Sequence, residues 1–156
     1  MKQRVEEGEL RVPAIRNGSV IDHIPMGQMQ KVISLLNLFD AAAPITIGLN
    51  FRSQKLGQKG LIKIEDRFLT PEDVNALALV SPDVVISVIR DYKVVEKITV
   101  KLPQELKGLV RCTNPKCITN NEPMGSAFTV LQDNPVILQC RYCTRKIHQD
   151  EIELTR

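Results

Sequence analysis

The 156-residue sequence has no tryptophan, two tyrosines, four phenylalanines and two histidines. So sparse an aromatic set offers few stacking platforms for single-stranded nucleic acid. A net charge of +3 supplies no dense basic face for a phosphate backbone. His23 and His148 fall in different modules, no serine occupies a nucleophile elbow, and no glycine-rich phosphate loop occurs, so no catalytic constellation emerges. No apolar run approaches the roughly 20 residues of a membrane-spanning helix. Four cysteines without a signal peptide point to a reducing, cytoplasmic setting.

What is present is concentrated near the C-terminus. All four cysteines lie in two knuckles, Cys112-Thr-Asn-Pro-Lys-Cys117 and Cys140-Arg-Tyr-Cys143. Close pairs on two turns can converge on one tetrahedral metal with little ordering of the chain, which is the pattern of a structural zinc site. A thioredoxin-like Cys140/Cys143 redox pair is the competing reading, but no helix start follows Cys143 and the other two cysteines would be unexplained. With four thiolates and no open position for water, the single zinc should hold structure and do no chemistry.

The chain ahead of the knuckles alternates between two periods. Residues 1–10 are charged and aperiodic and read as a mobile arm. From Gly18, Ser19–Ile24 reads as a strand closed by Pro25, with Val20, Asp22 and Ile24 on one face and Ile21 and His23 on the other. Met26–Phe39 carries Met29, Val32, Ile33, Leu36 and Phe39 at helical spacing, which predicts a core helix. Ile45–Phe51 and Leu61–Ile64 read as strands around a mobile 52–60 connection. Thr70-Pro-Glu-Asp73 opens a second helix that ends at Ser81-Pro82. Val84–Ile89 reads as an inner strand and Tyr92–Val100 as a polar edge strand. The order predicts an α+β fold: a ferredoxin-like βαββαβ sandwich with an extra strand, with both helices on one face of an antiparallel sheet. Residues 102–108 mark the boundary, so the expected domains are 1–101 and 102–156. The second is a small zinc-bound antiparallel β domain, with a hairpin around Asp133-Asn-Pro135 and a last strand over 147–154.

The runs Gly18-Ser-Val-Ile-Asp-His-Ile-Pro25, Ile45-Thr-Ile-Gly-Leu-Asn50 and Leu61-Ile-Lys-Ile-Glu65, with the cysteine spacing, resemble the regulatory chain of aspartate carbamoyltransferase over residues 11–150. The resemblance implies a noncatalytic subunit of de novo pyrimidine biosynthesis. It would pair as a dimer through its N-terminal domain, dock on a separate catalytic chain through its zinc domain, and bind nucleoside triphosphate effectors: CTP, ATP and UTP. Lys63 and Lys97 match nucleotide-contacting lysines, Asp22 and His23 the positions beside base and ribose, and Ala14, Ile15, Val20, Leu61, Ile89, Tyr92 and Val94 the surrounding contacts. Ser87 stands where the family often has asparagine and offers fewer hydrogen bonds. Lys59 is a weaker candidate for a second nucleotide or a metal-bound phosphate. Asn114 and Arg141 match positions facing the catalytic chain, with Lys116 departing from the frequent asparagine. Plainer readings stand beside these: Asp22 in a structural ion pair with a neighbouring lysine, His23 packed, Lys63 and Lys97 solvated, and the cations near the knuckles offsetting thiolate charge. The alternative function is a zinc-ribbon nucleic-acid-binding protein, whose affinity would fall steeply with salt.

Overall fold

A computed structural model describes residues 13–155, so the arm expected over residues 1–10 lies outside the described residues. The chain divides into two compact units between Val100 and Lys101.

In the first unit the strands are β1 (Gly18–Pro25), β2 (Ile45–Ser53), β3 (Gly57–Glu65), β4 (Val85–Arg90) and β5 (Lys93–Thr99), with helices α1 (Met29–Leu35) and α2 (Pro71–Val80). They form one antiparallel sheet in the order β2-β3-β1-β4-β5. This is the ferredoxin-like order with β5 added at the edge by a hairpin from β4. Ile21 of β1 faces Ile62 of β3 and Ile86 of β4 across the ladders, and all three are buried. The alternation of strand side chains puts this row on one face. Val32 and Leu77 from the helices, with Leu36 at the end of α1, are also fully buried. Gly60 of β3 lies so close to Met29 of α1 that an added Cβ would overlap the thioether, and α2 packs beside α1.

The second helix begins as its sequence dictates. Thr70 Oγ1 accepts the Asp73 amide at 3.1 Å and the Asp73 carboxylate accepts the Thr70 amide at 2.9 Å, a reciprocal capping box with proline at the first turn. Two otherwise unpaired donors are satisfied together. Thr70→Ala should therefore cost about 1 kcal/mol, read as a lower denaturant midpoint at an unchanged m-value.

Three expectations for this unit are corrected. The first helix stops at Leu35, because Asn37 adopts a left-handed conformation at φ 55°. The chain continues in a 3-10 turn that buries Leu38 and leaves Phe39 88% exposed. Alternation along β1 breaks at His23, which has φ 63°, in a stretch where the pairing with β3 shifts register. Ile24 is thereby rephased into the core with Ile21 and does not continue the face of Val20 and Asp22. Residues 52–60 are mostly paired: β2 runs to Ser53 and β3 starts at Gly57, so Lys59 is a strand residue.

In the second unit β6 (Glu105–Lys107), β8 (Ala127–Asp133), β9 (Val136–Cys140) and β10 (Lys146–His148) form an antiparallel sheet in the order β10-β9-β8-β6. β7 (Val110–Arg111) pairs with β11 (Glu153–Leu154), and the one-turn helix α3 (Ile118–Asn121) follows the first knuckle. Phe128, Val136, Leu138 and Ile147 fill the small core. The 102–108 segment is more than a boundary, since β6 pairs with β8. The last strand expected over 147–154 is broken by a 3-10 turn at Gln149–Glu151.

Candidate functional site

Each cysteine pair is delivered by a different local structure. Cys112 leaves β7, Cys117 caps α3, Cys140 ends β9, and Cys143 sits in the turn before β10. The ligand atoms of all four lie within 4.8 Å of one another, with Cys112 and Cys143 Sγ 3.6 Å apart and Cys117 and Cys140 Sγ 3.7 Å apart. Sulfurs at about 2.3 Å from a tetrahedral zinc have separations of this order, so the donor set fits a structural zinc.

The surroundings divide the thiols. Burial pushes Cys112 up to about 12, against the Asn114 amide that favours its thiolate, and burial also raises Cys140. At Cys143 burial is outweighed by hydrogen bonds from the Arg145 amide and the Asn114 side chain, which hold it down to about 6. At Cys117 burial is outweighed by the hydroxyl and amide of Thr119, and its thiol is lowered. Two ligands are thus shifted towards the thiolate and two away from it, and all four must be thiolates to hold zinc. Binding expels protons, so zinc affinity falls as the pH falls.

The first unit presents a second cluster on the sheet face opposite the helices. Val20 faces Lys63 on one side and Ser87 on the other, and Ser87 faces Lys97. Lys63, Val20, Ser87 and Lys97 therefore form one cross-strand row. At about 4.8 Å per strand the two lysines start about 14 Å apart, a gap their side chains can narrow from either end. The 13–17 segment reaches this face: the Lys63 ammonium donates to the Pro13 carbonyl at 2.7 Å, the Tyr92 amide donates to the Arg16 carbonyl at 2.9 Å, and Ile15 is buried near Gly18. Burial lowers the Lys63 pKa, because desolvation disfavours the charged ammonium.

Residues 10–101 match the family of the aspartate carbamoyltransferase regulatory chain, allosteric domain, and residues 104–153 match its metal binding domain. The chain belongs to the aspartate carbamoyltransferase regulatory chains. Relatives of that name include one from Phocaeicola vulgatus, 49% identical over 154 residues and 99% of each chain. Another, from Parabacteroides distasonis, is 53% identical over 144 residues, covering 92% of this chain and 94% of its own. The archaeal relative from Methanothermobacter thermautotrophicus is 46% identical over 146 residues, 93% of this chain and 94% of its own. Membership in this family makes the chain a noncatalytic subunit and favours the regulatory reading over a zinc ribbon for nucleic acid.

The remaining residues singled out in this regulatory chain are distributed as follows. Leu61 shares the face of Lys63, and Ile89 opposes Val94 across β4 and β5, beyond the row and towards the 13–17 segment. Ala14 is exposed, and Tyr92 stands 65% exposed at the β4–β5 turn with φ 67°. Asp22 is engaged within the chain. Its carboxylate accepts Lys59 Nζ at 2.9 and 3.1 Å and the His23 amide at 2.7 Å. The ion pair with a neighbouring lysine, weighed from sequence for Asp22, is what the geometry contains, and the partner is Lys59. His23 Nδ1 is 3.7 Å from the same carboxylate and buried without a hydrogen bond among the described residues.

At the metal centre Asn114 is turned inward, its Oδ1 accepting the Lys116 amide at 3.0 Å while its side chain also serves Cys143. Arg141 is ion-paired to Glu105 at 2.7 Å and half exposed. Lys116 is exposed, and Arg111 pairs with Glu153 at 3.6 Å. Sequence reasoning passed over Thr119, Asn120 and Asn121, whose side chains all turn back onto the first knuckle. The polar run Thr119-Asn-Asn121, one residue beyond a ligand cysteine, is the available signal.

Proposed function

We propose that this regulatory chain binds nucleoside triphosphates on the open sheet face of its N-terminal unit and conveys their effect to a catalytic chain docked on its zinc unit. The row of Lys63, Val20, Ser87 and Lys97 carries the reading. A triphosphate needs cations held by the fold with apolar surface between them for base and sugar, and this row offers both. A phosphate oxygen would replace the Pro13 carbonyl at Lys63 and add a negative charge opposite the ammonium, where the carbonyl offers only a dipole. Asp22, His23, Ile15, Ile89, Tyr92 and Val94 would complete the pocket, with CTP, ATP and UTP as the ligands. In this reading the first unit also pairs two copies of the chain, Asn114 and Arg141 face the catalytic chain, and the assembly works in the cytoplasm in de novo pyrimidine synthesis without nucleic acid. Effector binding can shift the assembly only by the difference in nucleotide affinity between its two states, typically about 1–3 kcal/mol.

Calorimetric titration of the zinc-loaded chain with CTP and ATP tests this against the Lys63→Ala, Lys97→Ala double variant. Two charge-assisted contacts at about 1.5–3 kcal/mol each make the expected loss at least about 100-fold in Kd. Saturable binding by the wild type that the double variant keeps unchanged would remove the site from this face. No binding by the folded wild type would leave the chain an assembly partner without an effector site of its own.

A further inference from the structure

The two zinc knuckles are supported by different means. The second is built into the sheet: Cys140 ends β9 and its amide donates to the Arg145 carbonyl at 2.9 Å, ahead of β10. The first follows only the two-residue strand β7 and needs another scaffold. Asn120 Nδ2 donates to the Cys112 and Asn114 carbonyls, each at 2.8 Å. Asn121 Nδ2 donates to the Pro115 and Cys117 carbonyls at 2.9 and 2.8 Å. Thr119 Oγ1 lies 3.2 Å from Cys117 Sγ. Four carbonyls of the knuckle, including those of both its ligand cysteines, are thus gripped by two adjacent amides.

We propose that Asn120 and Asn121 are positioning residues for the zinc, a clamp that holds the Cys112/Cys117 half-site in ligating geometry. The carboxamide suits this role because each NH2 group brings two donors and no charge. An aspartate of the same shape would bring acceptors only and place a negative charge beside carbonyl oxygens and thiolates. The clamp also accounts for α3, a single turn that buries none of its side chains and so has no packing reason to form.

The test is zinc affinity of the full-length chain by competition with a chromophoric chelator, paired with the visible bands of its cobalt(II) form. Asn120→Asp should raise the zinc Kd by about 10- to 100-fold, the usual cost of losing an outer-shell partner, and shift the cobalt bands as the half-site loosens. Val136→Ala, a core truncation away from the knuckles, serves as a control for lost stability. It should lower Tm and leave the cobalt bands in place. A zinc Kd for Asn120→Asp within about threefold of wild type with unshifted bands would overturn the clamp. So would a loss of affinity that Val136→Ala reproduces at equal loss of Tm. Should Asn120→Asp fail to fold, Asn121→Ala, which removes the other pair of donors, is judged by the same criteria.

Discussion

Replacing Cys140 with serine should abolish zinc binding and unfold the C-terminal unit, while the N-terminal unit of the same chain stays folded. Cys140 is fully buried at the end of β9, where its sulfur meets that of Cys117. A serine hydroxyl stays protonated at neutral pH and cannot replace a thiolate ligand. The three remaining cysteines would lose the cation that allows them to sit side by side as thiolates. Zinc binding in small modules is worth about 10–16 kcal/mol, as much as or more than the about 5–15 kcal/mol that holds a typical domain together. A unit whose largest fully buried side chains are Phe128, Leu138 and Ile147 cannot absorb such a loss. The first unit has its own core of Ile21, Ile62, Ile86 and Leu77 and draws nothing from the metal. Hydrogen exchange resolved along the full chain measures both at once. Protection should vanish across β8 and β9 and persist across β1 and β3, and chelation of the wild type should give the same pattern. Persistent protection in β8 and β9 after complete zinc removal would show that the metal is not what holds this unit. Under the proposed docking role, the same variant should also fail to associate with the catalytic chain.

Sequence and structure agree most closely where chemistry is local. The cysteine spacing needs only two turns and a metal, and the Thr70 capping box needs only four consecutive residues, so both can be seen without tertiary information. The alternation of β1 is legible as far as Ile21. It then fails because His23 takes a positive φ with no glycine or proline to announce it, and one rephased residue sends Ile24 inward. The end of α1 was hidden for a similar reason: Leu35 and Leu38 are buried, but the left-handed Asn37 between them shifts the helical stripe away from Phe39. Lys59 looked like loop because the β2–β3 hairpin extends past the core into a stretch with little apolar alternation. Its partner Asp22 lies 37 residues earlier, beyond the reach of any local pattern. The strand at Glu105–Lys107 is three residues long and exists only through its pairing with β8.

Gly18→Ala should be the most damaging single-methyl change in the N-terminal unit. Gly18 opens the central strand, paired to Glu65 on β3 and to Ile89 on β4, and its φ of 145° is one that L side chains rarely adopt. A Cβ there would overlap the carbonyl oxygen of Ile64 and press on the Asp66 amide and Ile15 Cδ1, each at 3.1 Å. The first two are backbone atoms, one in β3 and one bonded to the Asn17 carbonyl, so no rotamer change relieves the overlap. Conformational strain of about 1–3 kcal/mol adds to an overpacking cost of similar size, about 1–3 kcal/mol. A loss of about 4 kcal/mol corresponds to a fall in Tm of roughly 15 °C or more for a unit of this size. Gly27→Ala is the matched control, since a Cβ there meets nothing within 4 Å, and its Tm should stay within a few degrees. The damage at Gly18 should extend to ligand binding. The strand start places Val20 in the row between Lys63 and Ser87, and Ile15 is packed against the same glycine. Even at a temperature where Gly18→Ala is still folded, nucleotide affinity should fall with the displaced 13–17 segment, whereas Gly27→Ala should bind as the wild type does. Equal melting temperatures for the two variants would mean that β1 and β3 can separate enough at Gly18 to admit a methyl group, and that the close approach there is not a constraint on the fold.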